Sequence, residues 1–261
     1  METNPNILLT FDLEEFDLPE EYAQSISKEA QIRISTEGLE AILALLDKYN
    51  LRATFFTTAY YAENKPDIMR KIAEKHEVAS HLYYHSVYND DHILASKLKL
   101  EEIIGKKIWG FRMPRLKKTD LSIVKQAGYL YDSSINPTYL PSRYNNLAYP
   151  TTLYKDTKAD LWELPFSVSP YLRFPLFWLS FKNIPFALYL FFCRQVLRKT
   201  SYLHLYFHPW EFADISSIKI PAYIKRKSGI KLVNRLEKLI LALQKSPVHF
   251  ITVADFIKAR I

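Results

Sequence analysis

Cysteine and glycine are scarce in this sequence. The 261 residues include a single cysteine, Cys193, and only 5 glycines. One cysteine can form neither an intrachain disulfide nor a cysteine-based zinc cluster, and it fits a reducing compartment. So few glycines leave little material for a glycine-rich nucleotide loop, and neither a Walker sequence nor a dinucleotide fingerprint occurs. Disulfide-stabilised scaffolds and the common nucleotide-binding classes are therefore disfavoured.

Acidic residues are the minority among the charges, and the formal net charge is +7. Lysines scattered over predicted helices and loops indicate a solubilising surface, although attraction to an anionic glycan, nucleic acid or membrane stays open. No recognised nucleic-acid-binding motif is present, so nucleic acid is not expected as a partner. The N-terminal stretch lacks the basic and apolar regions of a secretory signal, and a cytoplasmic location is expected.

Apolar runs rich in β-branched and aromatic residues alternate with amphipathic helical patterns. Strands are predicted at residues 7–11, 53–57, 77–80, 108–111, 129–131, 161–165, 202–207 and 249–253. Helices are predicted at residues 36–49 (capped by Ser35), 66–75, 94–105, 120–128 and 230–244. This alternation indicates an α/β fold with helices outside a parallel sheet, and the length suits a (β/α) barrel of seven or eight parallel strands. No linker or repeat interrupts it, so residues 1–261 are predicted to form a single domain.

One segment, residues 171–192, is strongly aromatic and apolar. Two charges, Arg173 and Lys182, and two prolines within it argue against a membrane-spanning helix. Three interpretations stay open: an insertion that covers the core, a patch in peripheral contact with a membrane, or aromatic side chains that line a sugar groove. We favour the first.

Two carboxylates follow the first predicted strand. Asp12 and Glu14 lie two residues apart, so along a strand both point to one face while Leu13 points to the other. At the C-terminal end of a barrel strand they would face the active site, where one carboxylate could bind metal and the other could take a proton from water. On its own, the motif fits a solvated acidic loop equally well.

Two histidines follow the third predicted strand. His81 and His85 are four residues apart, a spacing that places two imidazoles on one side of a helical turn. With Glu14 they would supply three ligands of an open catalytic site, and this donor set favours zinc or a similar divalent ion. Asp12 is then the candidate general base, with Arg112 as the cation that keeps it ionised.

A lone histidine, His208, follows the strand predicted at residues 202–207. Once a metal site is inferred, this side chain becomes the candidate general acid for the leaving group. The alternative is a turn histidine that packs on Trp210.

These motifs, in this order, resemble the polysaccharide deacetylases of carbohydrate esterase family 4. The matching stretches are Leu-Thr-Phe-Asp12, His76 to His81 and on to His85, Gly110-Phe-Arg112-Met-Pro114, Gly128-Tyr-Leu-Tyr-Asp132-Ser-Ser, and His208-Pro-Trp-Glu211. The resemblance implies a distorted (β/α) barrel, a mononuclear divalent metal, usually zinc, and removal of an N- or O-acetyl group from a sugar. It covers nearly the whole chain.

The resemblance also implies a role for individual residues. Catalysis would fall to Asp12, Arg112 and His208, metal binding to Glu14, His81 and His85, and substrate contact to Pro114, Leu205 and Trp210. Leu205 is expected near the acetyl methyl group, and Asp132 and Glu163 are expected to support the site from behind its ligands. Three residues depart from the usual pattern: Leu13 replaces a second aspartate, Leu82 replaces serine or threonine, and Leu116 replaces glycine. They indicate a divergent branch with an Asp-x-Glu first motif.

The sequence therefore predicts a metal-dependent hydrolase that deacetylates a carbohydrate or glycan precursor. Two alternatives remain: hydrolysis of a non-sugar amide on the same barrel, and a catalytically inactive carbohydrate-binding protein. A small closed pocket would favour the former, and a long open groove would favour a glycan.

Overall fold

The computed structural model describes residues 4–261, so the first three residues of the N-terminal stretch discussed above lie outside the described part. The strands are β1 (Asn6–Leu13), β2 (Thr54–Thr57), β3 (Glu77–Ser80), β4 (Gly110–Phe111), β5 (Tyr131–Asp132), β6 (Tyr139–Leu140), β7 (Tyr144–Asn145), β8 (Tyr154–Asp156), β9 (Leu161–Glu163), β10 (Tyr202–Phe207) and β11 (His249–Phe250). The helices are α1 (Lys28–Lys48), α2 (Ala59–Asn64), α3 (Pro66–Lys75), α4 (Asp91–Ile104), α5 (Leu121–Gln126), α6 (Trp178–Asn183), α7 (Phe186–Thr200), α8 (Ala222–Lys225), α9 (Ile230–Leu243) and α10 (Val253–Lys258).

The main sheet runs in the order β10-β1-β2-β3-β4-β5-β9-β8, and β11 also pairs with β1. Every pairing in it is parallel except that of β8 with β9. The sheet curls into a half-barrel with helices outside it, which agrees with the distorted barrel that the motif resemblance implies. The predicted fold class is therefore confirmed, with eight parallel strands and one antiparallel edge strand.

The two faces of the sheet have different contents, as the first strand illustrates. Leu9, Phe11 and Leu13 are buried in the large apolar cluster under the outer helices. Thr10 and Asp12 point the other way, into the barrel interior. This alternation places polar side chains at the inner, C-terminal end of β1, where the barrel is open.

The first long helix begins earlier than the sequence pattern predicts. The helix predicted at residues 36–49 with Ser35 as its cap is wrong at its start, because α1 begins at Lys28 and is capped by the Ser27 side chain. Ser35 is buried inside the helix, and its hydroxyl donates a hydrogen bond to the Glu14 carbonyl (2.6 Å). Gln31 and Ser35 lie among the buried positions of the first two turns, beside Ile32 and Ile34, and they interrupt the apolar pattern there. By contrast, α3, β3 and β10 have the predicted bounds.

The aromatic segment 171–192 is divided between the core and the surface. Phe181 of α6 and Tyr189 of α7 are buried in the main apolar cluster, together with Cys193, so part of the segment covers the core. Other residues of the same segment are exposed. Among the described residues, no helix has both the length and the apolar character needed to cross a bilayer.

One glycine allows a close contact between α1 and the turn that follows β10. A Cβ atom on Gly38 of α1 would lie 1.8 Å from the carbonyl oxygen of Pro209. Pro209 begins a short 3₁₀ helix, Pro209–Phe212, that follows β10. Any larger side chain at Gly38 would push this turn away from α1. The packing therefore fixes the turn that carries Trp210 and Glu211.

Candidate metal-dependent active site

Glu14, His81 and His85 form a group of potential metal ligands at the open end of the barrel. Their donor atoms all lie within 4.8 Å of one another. Glu14 Oε2 is 3.1 Å from His81 Nε2 and 3.2 Å from His85 Nε2. Two imidazoles and one carboxylate suit a divalent transition metal with an open position. The structure thus brings together the three residues that the sequence predicts as ligands.

The hydrogen bonds of the two imidazoles leave the correct nitrogen free. His81 Nδ1 lies 2.9 Å from the Arg112 carbonyl oxygen, and His85 Nδ1 lies 2.7 Å from Asp17 Oδ1. Both partners only accept hydrogen bonds here, so each Nδ1 carries a proton, and each Nε2 faces Glu14 and is the nitrogen that would bind a cation. The tautomers are therefore set for binding a cation, and the donor set fits one.

The four-residue spacing of His81 and His85 suggested a helical turn, but the two histidines do not lie on a helix. His81 directly follows β3, and the chain turns through Leu82, which has a positive φ of 65°. A buried leucine rarely adopts this conformation. Here it turns the chain so that His85 returns toward Glu14. The buried carboxylate of Glu15 fixes the turn, because it accepts from the His85 backbone N–H (2.9 Å) and the Thr58 hydroxyl (2.8 Å).

Asp12 and Arg112 form a fully buried ion pair beside the ligand group. A guanidinium N–H of Arg112 donates to Asp12 Oδ1. Burial alone would raise the pKa of Asp12, but the charge of Arg112 and of the nearby imidazoles outweighs it, so this pKa is lowered. Asp12 is consequently an anion over the range in which a general base must act.

Arg112 is held on all sides. Its guanidinium lies over the Phe56 ring, 3.7 Å from the ring centroid, and it donates to the Ser133 carbonyl oxygen (3.0 Å) and to the Thr10 hydroxyl (3.1 Å). His204 Nε2 accepts from it as well (3.2 Å). Burial and the charge of Arg112 lower the pKa of His204 to about 3, which keeps this imidazole neutral. Nothing in the sequence indicated a partner for His204, although its position alternates with that of His208 on the inner side of β10.

His208 lies beside Asp12 because their strands are neighbours. Phe11 and Phe207 are paired in the β1–β10 register, so Asp12 and His208, which follow them, are neighbours at this end of the sheet. His208 Nε2 is 3.9 Å from Asp12 Oδ2. The His208 ring stacks on Trp210, with the ring centroids 5.0 Å apart. The alternative of a turn histidine predicted this packing on Trp210. The packing is compatible with the position of His208 in the candidate site.

Two residues for which the sequence predicted no role support His208. His208 Nδ1 donates to Glu211 Oε1 (3.0 Å), and Glu211 Oε2 is 3.0 Å from Lys182 Nζ, with both side chains fully buried. Burial would lower the pKa of His208, but the hydrogen bond to Glu211 and the charges of Glu14, Glu211 and Asp12 together outweigh it, so this pKa is raised. The motif His-Pro-Trp-Glu was a sequence signal that could have indicated a role for Glu211. Nothing in the sequence indicated a role for Lys182.

This arrangement predicts the alkaline limit of activity. A general acid must be protonated, so activity should persist below the raised pKa of His208 and be lost as pH rises through it. Replacing Glu211 alone would leave Lys182 as an unpaired buried charge. We therefore expect the double variant K182M/E211Q to move the alkaline limb of the kcat/KM profile to lower pH.

An exposed pair of the same chemistry provides the control. Lys48 Nζ and Glu237 Oε1 are 2.7 Å apart on the surface, and the variant K48M/E237Q should leave the pH profile unchanged. A profile that does not move in K182M/E211Q would contradict the role of Glu211.

The candidate ligands and His208 line a small chamber that joins a larger one. The small chamber has a volume of about 110 Å³ and includes Asp12, Trp178 and Trp210 in its wall. The adjoining cavity measures about 1150 Å³. Arg143 and Tyr144 line both, so the chamber is not isolated. Trp210 also donates its indole N–H to Glu14 Oε1 (3.2 Å).

Four predicted site residues lie away from this chamber. Leu205 is buried in the core under the outer helices, because alternation on β10 sends it to the face opposite His204. Pro114 is buried and is not part of the chamber wall. Asp132 faces outward because its neighbours Tyr131 and Ser133 contact the interior, and Glu163 shares the outer face of its strand with Leu161; both carboxylates line the large cavity instead. Among residues 4–261, no hydrogen bond or ion pair joins either carboxylate to Glu14, His81 or His85, and Asp132 accepts from Ser134.

The family departure at Leu116 has a local structural consequence. Arg115 and Leu116 both have positive φ angles, 58° and 53°. Glycine adopts this conformation without strain, whereas leucine does not. Leu116 keeps the turn and adds an apolar side chain to the walls of both cavities. Leu13 is buried among apolar residues on the outer face of β1, so Glu14 takes the place facing the histidines.

Sequence comparison assigns this architecture to a family. Residues 2–131 match the family described as Polysaccharide deacetylase, and residues 133–258 match a Domain of unknown function (DUF3473). The chain belongs to the polysaccharide deacetylase family. The resemblance noted from the motifs is thus confirmed, and the C-terminal region adds a second family to it. No curated protein matches the sequence significantly.

Solved structures share the fold at low identity. A protein from Mycobacterium smegmatis assigned as a polysaccharide deacetylase is 18% identical, with a TM-score of 0.67 over 99% of this chain and 91% of that one. PuuE allantoinase is 15% identical, with a TM-score of 0.68 over 96% and 88%. The family 4 pseudoenzyme BA3943 from Bacillus anthracis is 15% identical, with a TM-score of 0.53 over 98% and 66%. The fold therefore hosts different activities, and one inactive protein.

Proposed function

We propose that this protein is a metal-dependent hydrolase that removes an acetyl group from a carbohydrate. The observation that carries the proposal is the meeting of the ligand group Glu14, His81 and His85 with Asp12 and His208 in one chamber. We further propose zinc as the metal, because two imidazoles and a carboxylate are a common donor set for that ion.

The proposed reaction divides between two side chains. Glu14, His81 and His85 would hold a divalent ion that polarises the acetyl carbonyl as a Lewis acid. Asp12, kept ionised by Arg112, accepts a proton from the attacking water. His208, kept protonated by Glu211, donates a proton to the nitrogen or oxygen of the sugar as the carbon–nitrogen or carbon–oxygen bond breaks. Acetate and the deacetylated sugar leave, so that one water is consumed for each bond cleaved.

The cavities support a carbohydrate over a smaller substrate. The small chamber can take a group of the size of an acetyl, whereas the adjoining cavity of about 1150 Å³ can hold the rest of a sugar. Its wall includes Tyr144, Asn146, Tyr149 and Tyr154, and such side chains combine ring faces with hydrogen-bonding groups. We also propose that residues 1–261 act as one catalytic domain, since β1 pairs directly with β10 across the two family regions.

One observation favours the alternative of a non-sugar amide. The chamber that contains the candidate ligands is only about 110 Å³, a volume that suits a compact substrate. PuuE allantoinase has a similar fold. A cyclic ureide or a formamide is therefore the second candidate substrate class, with the same ligand group and the same base.

The test is product release from the zinc-loaded protein. We expect acetate, detected by proton NMR, from N-acetylated or O-acetylated oligosaccharides, and none from allantoin or formamides. Hydrolysis of the amides alone would transfer the proposal to the second class. Stoichiometric zinc without hydrolysis of any of these substrates would favour an inactive carbohydrate-binding protein, which titration with acetylated oligosaccharides would then detect.

A further inference from the structure

Apolar side chains on one part of the surface are exposed together. Tyr171 is 81% exposed and Leu172 is 80% exposed at the tip of a loop, and Leu188 (42%) and Phe191 (50%) are exposed on α7. Leu188 and Phe191 lie three residues apart, so they share one helix face. The opposite face of α7 is buried through Tyr189, Cys193 and Val196.

The loop and the helix form one continuous surface. Lys199 Nζ on α7 lies 5.1 Å from the centroid of the Tyr171 ring, and the rings of Phe174 and Phe192 are 5.3 Å apart. These contacts hold the loop tip against the C-terminal half of α7. We use the name tip surface for Tyr171, Leu172, Leu188, Phe191, Arg194 and Arg198.

The charge around the tip surface has one sign. Arg194 and Arg198 are exposed and continue the outer face of α7 beyond Phe191. No aspartate or glutamate occurs in the 47 residues from 164 to 210, although the chain as a whole has 28. The Lys182 charge is compensated by Glu211, but Arg194, Arg198 and Lys199 have no acidic side chain within salt-bridge distance among residues 4–261. Exposed aromatic and aliphatic side chains are therefore bordered by uncompensated positive charge.

We propose that the tip surface docks on a lipid bilayer that carries anionic headgroups. Aromatic and leucine side chains on an exposed loop and helix face suit the boundary between headgroups and acyl chains, and arginines on the same face pair with lipid phosphates. A second copy of the chain fits less well, because it would bring two basic surfaces together. The inference does not depend on the proposed hydrolase activity.

The experiment is sedimentation of the full chain with vesicles of phosphatidylcholine alone and of phosphatidylcholine and phosphatidylglycerol in equal parts. We expect binding to the mixed vesicles, weak binding to phosphatidylcholine, and loss of binding as salt increases. R194S/R198S should bind the mixed vesicles about fivefold more weakly for each arginine removed. L172S/F191S should lower binding by about tenfold or more, because two side chains lose their burial in lipid.

A matched control uses apolar residues exposed elsewhere. Ile230 and Leu241 lie on α9 with exposed fractions of 69% and 46%, and I230S/L241S should bind as the unchanged protein does. All three variants alter exposed side chains, so their thermal unfolding should be unaffected, and this is measured first. The proposal would be overturned if the protein did not bind the mixed vesicles, or if L172S/F191S bound them as strongly as the unchanged protein does. Retention on an acidic protein matrix without any vesicle binding would also overturn it.

Discussion

Replacing Asp12 with asparagine is expected to lower kcat for acetate release by about 10²–10⁴-fold while metal content stays the same. The amide keeps an oxygen that can accept from Arg112, but it cannot take a proton from water. Asp12 is not one of the three candidate ligands, so the ion should remain. Steady-state kinetics and elemental analysis of the same preparation check both parts of this expectation.

Asp132 provides a matched control for this variant. Its carboxylate is also buried and also lies at the end of a parallel strand, yet it faces the outer cavity and accepts from Ser134. D132N should therefore retain a kcat close to that of the unchanged protein, whereas KM can change because Asp132 lines the cavity proposed for the sugar; unfolding is measured for both variants. Unchanged kcat in D12N would remove Asp12 as the base. A loss in D132N as large as that in D12N would restore its predicted role beside the active site.

Replacing His81 with alanine is expected to reduce divalent metal content to near zero under conditions that saturate the unchanged protein. Loss of a group that only orients a ligand typically lowers metal affinity by about 10–100-fold. Loss of one of three protein ligands should lower the affinity further. D17N tests that smaller effect, because Asp17 only orients His85. Zinc titration with a competing chelator measures all of these affinities.

Another histidine in the same region is the control for unspecific binding. His92 is half-buried near the start of α4, where its ring packs on Tyr83 and Tyr84 and approaches the backbone carbonyl of Val87. H92A should therefore bind zinc as the unchanged protein does. The expected order of affinity is unchanged protein and H92A, then D17N, then H81A. Full occupancy in H81A at limiting zinc would exclude His81 as a ligand, whichever substrate the protein acts on.

The sequence predicted the parts of the site that follow from strand ends. Asp12, His81, Arg112 and His208 each follow or end a parallel strand, and parallel strands deliver such residues to one edge of the sheet. Because that rule is general, the sequence alone predicted that these four motifs, which lie far apart along the chain, would be close together in space. Leu205 was expected near the site from the family resemblance and not from this rule; it lies within its strand, where alternation turns its side chain to the outer face.

Contacts between distant elements were harder to predict. Lys182 reads as an ordinary surface lysine in an aromatic segment, and only the packing of α6 on the turn after His208 shows that it is paired. His204 and Asp17 are similar, since each acts through a residue far away in the sequence. The early start of α1 was missed because buried Gln31 and Ser35 interrupt the apolar pattern of its first two turns.

The pairing of β1 with β10 has a consequence for how such proteins can evolve. Asp12 comes from the region that matches the deacetylase family, and His208 from the region that matches DUF3473. The candidate proton acceptor and proton donor thus belong to separately recognisable sequence modules that share one sheet. Exchange of the C-terminal module between relatives could replace the donor, its supporting carboxylate and the wall of the chamber in one step. Specificity could then diversify by recombination while the ligand group stays constant.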